Sequence, residues 1–177
     1  MTSLDMISLS SLPNVKLEYV LEHCNNSSWG EGKVAKSRYS EELGGATNKS
    51  IRDVQVSPMD QELVDLLNKE IEPIVQDYAR KYGITVSSNT SYSLAKYDVG
   101  QFFAEHTDAT KEFPRKISAV LYLNDDYEGG TITFTKIKSS IKPNKNTLFI
   151  FPSTEEFSHS ADPVISGTKY VIIGFWE

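Results

Sequence analysis

Residues 91–108 read Ser-Tyr-Ser-Leu-Ala-Lys-Tyr-Asp-Val-Gly-Gln-Phe-Phe-Ala-Glu-His-Thr-Asp, and residues 116–124 read Lys-Ile-Ser-Ala-Val-Leu-Tyr-Leu-Asn. Both stretches carry the aromatic and β-branched residues that suit a pleated, half-buried surface. Asp98-Val99-Gly100 is a turn-forming triplet, so the first stretch predicts two strands, Ser91–Tyr97 and Gln101–His106. The same reading gives strands at Lys116–Asn124, Thr131–Lys136, Thr147–Phe151 and Tyr170–Trp176. Turn-rich pieces separate them at Asp125–Gly130, Pro143–Asn146 and Asp162–Thr168.

Upstream, Leu63, Leu67, Ile71, Ile74, Tyr78 and Tyr82 recur at three- and four-residue spacing and predict one apolar helix face. Ser57-Pro58-Met59-Asp60 reads as its start, with Ser57 as N-cap and Pro58 at the first helical position. Pro73 is expected to kink or split this helix, and Gly83 to stop it. Val15, Leu17, Tyr19 and Leu21 alternate, which predicts a strand over Asn14–Cys24. Residues 1–12 are Ser-rich and expected to fray, and Asn25–Ser50 reads as a loop containing Trp29, Arg38 and Tyr39. A helix followed by many short strands predicts a mainly β fold, a two-sheet sandwich or jelly roll with the helix packed outside.

At 177 residues the chain suits a single domain, residues 1–177. Its net charge of −6 disfavours a nucleic-acid partner, whose affinity comes largely from Lys and Arg. One cysteine, Cys24, allows no intrachain disulfide and fits a reducing, cytoplasmic setting. The N-terminal stretch lacks the features of a secretory signal, and no apolar run is long enough for a membrane helix, so no membrane partner is expected. Oligomeric state is not legible in the sequence.

His106 and Asp108 are two residues apart, so in an extended segment their side chains point the same way and can share one ion. Taken alone, His-x-Asp is a weak signal, since most such triplets are ordinary strand pairs. A third ligand must come from elsewhere, and His159 is the candidate. Two histidines and one carboxylate suit non-haem iron and leave three coordination positions open for an oxo acid and O2, where a closed four-ligand zinc site leaves none. His23 and Cys24 are adjacent and would face opposite ways in a strand, so they make poor partners for one ion. Gly44-Gly45 lacks the lysine of a phosphate-binding loop.

Four stretches together resemble the prolyl 4-hydroxylase-like Fe(II)/2-oxoglutarate oxygenases, in the small form carried by bacteria and phages. They are Tyr97-Asp-Val-Gly100 leading to His106-Thr-Asp108; Tyr122-Leu-Asn124 leading to Gly129-Gly130; Pro143 to Ser153; and His159 with Pro163-Val164 and Gly167-Thr-Lys169-Tyr170. The resemblance implies a double-stranded β-helix (cupin-like) core at about 91–177, with residues 13–83 packed on it. It implies Fe(II) on His106, Asp108 and His159, with 2-oxoglutarate and O2 as cosubstrates and ascorbate as a candidate reductant. Lys169, ten residues after His159, stands where the family binds the far carboxylate of 2-oxoglutarate. Tyr97 stands where a family tyrosine lines that pocket. Phe175 replaces a usual tryptophan, Asn146 a glycine, and Thr131 an acidic residue to which no consequence is assigned.

The implied activity is hydroxylation of a C–H bond with release of succinate and CO2, on a prolyl residue of a peptide or protein. The retained Asp108 argues against the halogenating relatives. A lysyl side chain, a nucleobase or a small metabolite stays open as substrate, as does a non-catalytic binding or sensor module. The 25–50 loop could close over the mouth, with Trp29, Arg38 and Tyr39 as contacts, or could simply be a surface loop.

Overall fold

The computed structural model describes residues 2–12, 17–33, 47–87 and 89–177. Two helices, α1 (Leu17–Asn26) and α2 (Gln61–Tyr82), accompany fourteen strands among the described residues. The strands are β1 (Ser8–Ser11), β2 (Gly30–Glu31), β3 (Arg52–Asp53), β4 (Gln55–Ser57), β5 (Asn89–Tyr97), β6 (Phe102–His106) and β7 (Ile117–Tyr122). Then follow β8 (Glu128–Gly129), β9 (Ile132–Phe134), β10 (Ser139–Ile141), β11 (Thr147–Pro152), β12 (His159–Ala161), β13 (Val164–Ser166) and β14 (Lys169–Trp176). A seven-stranded sheet has the order β1-β11-β7-β14-β5-β4-β2, a five-stranded sheet the order β10-β9-β12-β6-β3, and β13 pairs with β8.

The period of two along each strand sorts the large sheet's residues into two cores. Ile117, Ala119, Leu121, Leu148, Ile150, Ile172 and Trp176 join Leu63, Leu67, Ile71 and Val75 of α2 and Val20 and Cys24 of α1. Their alternates Val120, Tyr122, Phe149, Phe151 and Val171 join Ile132, Phe134 and Val164 between the sheets. Helix-covered on one face and sheet-covered on the other, the large sheet belongs to the jelly roll that the strand pattern predicts. Leu63, Leu67 and Val75 are fully buried, each contributing roughly 1.5–3 kcal/mol of apolar burial.

Several boundaries differ from expectation. Residues 17–24 are helical, not extended: Val20 and Cys24, one turn apart, are buried together. Apolar residues at 17, 19 and 21 fit a strand, while 17, 20, 21 and 24 fit a helix, and packing against α2 selects the second. Positions 14–16 of that predicted strand lie outside the described residues. The first twelve residues are not frayed over their described part. Ser3–Met6 forms a 3-10 turn, β1 pairs with β11, and the Tyr78 hydroxyl donates to the Met6 carbonyl at 2.6 Å.

Helix α2 starts later than predicted. Ser57 is committed to β4, opposite Leu94, and Asp60 is the cap, its carboxylate accepting from the Leu63 N–H at 2.8 Å. Pro73 does not split the helix, because Ile71 and Val75 are both buried against the sheet. Gly83 ends it in the left-handed region at φ 67. Asn146 takes a left-handed φ of 59 before β11, and its side-chain amide donates to the Leu12 carbonyl at 3.0 Å.

Candidate active site

The two histidines face each other across neighbouring strands. β12 pairs antiparallel with β6, and the register sets His159 directly opposite His106. Side chains on one face of such a pair stand close, and the two imidazole rings are 4.5 Å apart between centroids. The backs of the strands are pinned together as well, since the Ser158 hydroxyl donates to Glu105 at 2.8 Å. Asp108 follows the end of β6 and reaches the same point. His106 Nε2 is 3.5 Å and His159 Nε2 3.9 Å from its carboxylate oxygens. Ligand atoms of His106, Asp108 and His159 lie within 4.8 Å of one another, the one such metal-capable group among the described residues.

Local hydrogen bonds orient each donor. His106 Nδ1 is 2.9 Å from the Ala104 carbonyl, and His159 Nδ1 is 2.9 Å from the Phe157 carbonyl. A carbonyl only accepts, so Nδ1 carries the hydrogen in both rings and Nε2 is presented to the centre. Burial holds the His159 imidazolium down to about 4, only partly offset by Asp108, so the ring is neutral with its lone pair inward. Asp108 is also buried, which alone would raise its carboxyl. At the low pH where that carboxyl would titrate, the then-protonated His159 and His106 and the Ser118 hydroxyl reverse this and keep it well below the usual carboxylate range. A carboxylate and a neutral imidazole lone pair converging on one buried point lack a positive charge between them. An iron ion fits that donor set.

Aromatic rings wall the centre. Phe103 stacks on His106 at 3.6 Å between centroids, and Phe134 and Phe151 pack on His159 at 5.4 and 4.9 Å. Ser118 donates to Asp108 Oδ2 at 2.7 Å and meets the Ser153 hydroxyl at 2.7 Å, with both serines buried.

Lys169 begins β14, opposite Tyr97 on β5. It is only 2% exposed, although it is a lysine. Its ammonium donates to the Gly130 carbonyl at 2.8 Å and lies 5.1 Å from the Tyr97 ring and 5.3 Å from the Tyr122 ring. Burial lowers its pKa to about 8, although Asp162 opposes this. Among the described residues no carboxylate lies within 4.0 Å of this ammonium. A buried cation with unused donors and aromatic walls suits an incoming carboxylate. Asp162 itself accepts from Thr131, Thr133 and Ser160 at 2.5, 2.6 and 2.8 Å. That gives Thr131 a place in the structure that sequence did not supply.

Phe175 lies on the same face of β14 as Lys169 and carries the Arg115 guanidinium 3.6 Å above its ring. Trp29, suspected as a mouth contact, instead packs on Tyr170 at 6.0 Å between centroids, beside the helix-covered core. Tyr170 is the alternate of Lys169, so this contact is on the far side of the sheet. Arg38 and Tyr39 lie outside the described residues. His23 faces Asp60 at 3.4 Å, and burial pushes the Cys24 thiol up to about 11. Tyr122, Ser118, Ser153, Arg52 and Arg115 were not singled out from sequence. Of these, Tyr122 had a signal in the Tyr-Leu-Asn motif and Ser153 in closing the Pro143–Ser153 stretch.

Comparison with known proteins gives a consistent picture. Residues 92–177 match the family model of the 2OG-Fe(II) oxygenase superfamily. The chain is similar to a PKHD-type hydroxylase of Synechococcus sp. (strain CC9902), 25% identical over 171 residues, covering 91% of this chain and 72% of the relative. It is also similar to the prolyl 4-hydroxylase subunit alpha-1 of Gallus gallus, 32% identical over 107 residues, covering 50% of this chain but only 21% of that longer protein. In fold it is similar to a Trichoplax adhaerens prolyl hydroxylase solved with a hypoxia inducible factor peptide fragment. The TM-score is 0.77 at 17% identity, covering 96% of this chain and 82% of the other.

Proposed function

We propose, from the premise that residues 92–177 belong to the 2OG-Fe(II) oxygenase superfamily, that this enzyme hydroxylates a prolyl residue in a peptide or protein. In this reading His106, Asp108 and His159 are the iron ligands, Lys169 holds the far carboxylate of 2-oxoglutarate, and Tyr97 and Tyr122 line the pocket around it. The observation that carries it is the facing pair His106 and His159, closed by Asp108 and served by one buried ammonium.

When bound, iron and 2-oxoglutarate supply the oxidising chemistry, in which O2 is consumed, succinate and CO2 are released, and oxygen enters a C–H bond. The chain's own work is holding and excluding. The Ala104 and Phe157 carbonyls keep both Nε2 atoms turned inward. Ser118 keeps the Asp108 carboxylate in place. Phe103, Phe134 and Phe151 exclude water from the ligands, which strengthens every charge interaction inside. Lys169 would receive the far carboxylate of the oxo acid, leaving its oxo-carboxylate end free to chelate the ion that His106, Asp108 and His159 would hold.

A peptide substrate is supported by the similarity to the Gallus gallus prolyl 4-hydroxylase subunit and by the peptide in the Trichoplax structure. The reading treats residues 1–177 as one domain with the catalytic core at about 91–177. A cytoplasmic setting is part of the same proposal, supported by a single cysteine that is buried. No described helix is long and apolar enough to cross a membrane.

The test is anaerobic titration with Fe(II), then 2-oxoglutarate, watching the visible metal-to-ligand charge-transfer band. Succinate release is then followed with proline-containing peptides, ascorbate keeping the iron reduced. The band is expected in wild type, absent in His106→Ala, and shifted to much higher 2-oxoglutarate in Lys169→Ala. Failure of wild type to bind iron would overturn the ligand assignment. Succinate release that no proline peptide stimulates would overturn the prolyl assignment.

A further inference from the structure

We propose that the substrate is an acidic peptide, with an Asp or Glu side chain next to the residue that is oxidised, and that Arg52 and Arg115 receive its carboxylate. The inference rests on the oxygenase reading of the same site and names the chemistry of what enters it.

Two guanidiniums flank the His-Asp-His centre, one from each sheet. Arg52 lies on β3, which pairs with the histidine-bearing β6 so that Arg52 is opposite Phe103. Its guanidinium sits 4.7 Å above the Phe103 ring, and Phe103 in turn stacks on His106. One Nη donates to the Lys33 carbonyl at 2.5 Å, while Nε is buried without a hydrogen-bond partner. Arg115 enters just before β7 of the other sheet. It lies over Phe175, and its Nη1 is 3.4 Å from the Asp108 carbonyl, a long contact that leaves most of its donors available.

Burial sets these two cations apart, since desolvation disfavours the charge of each. The chain carries a net charge of −6, and Lys49, Lys96 and Lys136 each meet a carboxylate. Among the described residues, neither Arg52 nor Arg115 has a carboxylate within 4.0 Å. The two are close enough that Arg52's charge acts unfavourably on Arg115, and both feel Asp108. An ion held by Asp108 would take up that carboxylate's charge and leave the two guanidiniums without it. Glu177 acts on Arg115 through space without forming an ion pair. Two like charges, part-buried against aromatic rings and with no carboxylate within 4.0 Å among the described residues, form a receptor for an anion. Planar guanidinium with several donors is the group that binds carboxylate in two-pronged fashion.

The pair does not duplicate the 2-oxoglutarate anchor. Lys169 and Phe175 lie on the same face of β14, six residues apart, which is about 20 Å of strand at roughly 3.3 Å per residue. Lys169 therefore stands at one end of this face of β14, and Arg115 on Phe175 at the other. Because a carboxylate held there would sit beside Phe103 and His106, the acidic residue belongs immediately next to the oxidised one.

The test uses the full chain with Mn(II) in place of iron and with 2-oxoglutarate present. Binding is measured for four labelled peptides that differ only at two places: Asp or Lys beside the central residue, and Pro or Ala at that residue. Wild type should bind the Asp peptides at least about tenfold more tightly than the Lys peptides, the loss expected from one charge-assisted contact. Arg52→Gln and Arg115→Gln should each reduce that preference. Arg52→Glu should turn the preference toward the Lys peptides, a gain that a misfolded variant could not produce. Equal binding of Asp and Lys peptides by wild type, or a preference that survives in the double Gln variant, would overturn the inference. A preference for Asp with Pro and Ala bound alike would uphold the arginine assignment while removing support for proline. A preference for Pro without any for Asp would do the reverse.

Discussion

Replacing Ser118 by Ala should weaken iron binding although Ser118 is not one of the candidate ligands. Ser118 Oγ lies 2.7 Å from Asp108 Oδ2 and 2.7 Å from Ser153 Oγ, and neither serine is more than 1% exposed. An ionised carboxylate only accepts, so Ser118 donates to Asp108, and its own oxygen takes the Ser153 hydrogen. A hydrogen bond to a charged acceptor is worth about 1.5–3 kcal/mol. Spent wholly on the metal-bound state, that is on the order of 10- to 150-fold in affinity, close to the 10- to 100-fold seen when outer-shell partners of metal ligands are removed. The variant also leaves a buried Ser153 hydroxyl without its acceptor, at a cost of roughly 1–3 kcal/mol in folding. Ser153→Ala is the control, because it keeps the bond to Asp108 and should lower iron affinity much less. The assay is the Fe(II) concentration at half-saturation of the charge-transfer band, with the Tm of the metal-free protein measured in parallel. If Ser118→Ala binds Fe(II) within about twofold of wild type while Tm falls, the hydroxyl pair is structural only and the reasoning fails.

The 2-oxoglutarate affinity should decline as pH rises through about 8, where buried Lys169 loses its proton, and a titration of the charge-transfer band across pH reads this directly. The sign for stability follows from the same shift. Between about 8 and lysine's ordinary 10.5 the unfolded chain holds a proton that folded Lys169 has shed, so Lys169 adds stability with rising pH across that window, and Lys169→Met should flatten the rise in metal-free Tm. Gly130→Ala sets a side chain at φ +60 and 3.0–3.2 Å from the Tyr127 ring and the Lys169 stem. It should cost roughly 1–2 kcal/mol in backbone strain and raise the KM for 2-oxoglutarate more than it changes kcat, which steady-state kinetics would separate. Leu67→Ala empties a fully buried position on the helix-covered face. A loss of about 2–5 kcal/mol in urea unfolding is expected, with the charge-transfer band unchanged because the centre is on the other face of the sheet.

Much of the fold was legible because it depends on local chemistry. The strands around residues 91–124 and 147–176 follow from their apolar runs and intervening turns, and the face of α2 follows from Leu63, Leu67 and Ile71. The errors share a cause. Residues 17–24 satisfy both periods, and only the presence of α2 and the sheet beside Val20 and Cys24 decides for helix. Ser8–Ser11 has no strand pattern of its own, and is extended because β11 offers it an open edge. Ser57 has the right chemistry for a cap but is already paired in β4, which moves the cap to Asp60.

The groups that the proposed centre would use stand in the residue order, His106 and Asp108 two apart, His159 downstream and Lys169 beyond it, and the fold brings the first three within 4.8 Å of one another. Which residues orient those groups was not legible there, because each is brought in from a distant part of the chain. His159 opposes His106 through a sheet register, Ser153 reaches Ser118 across β11 and β7, and Arg52 reaches Phe103 from β3. Short-range patterns report which groups a chain can offer. Which ones converge, which are stripped of water, and hence what charge each carries, is decided only when the two sheets close on one another.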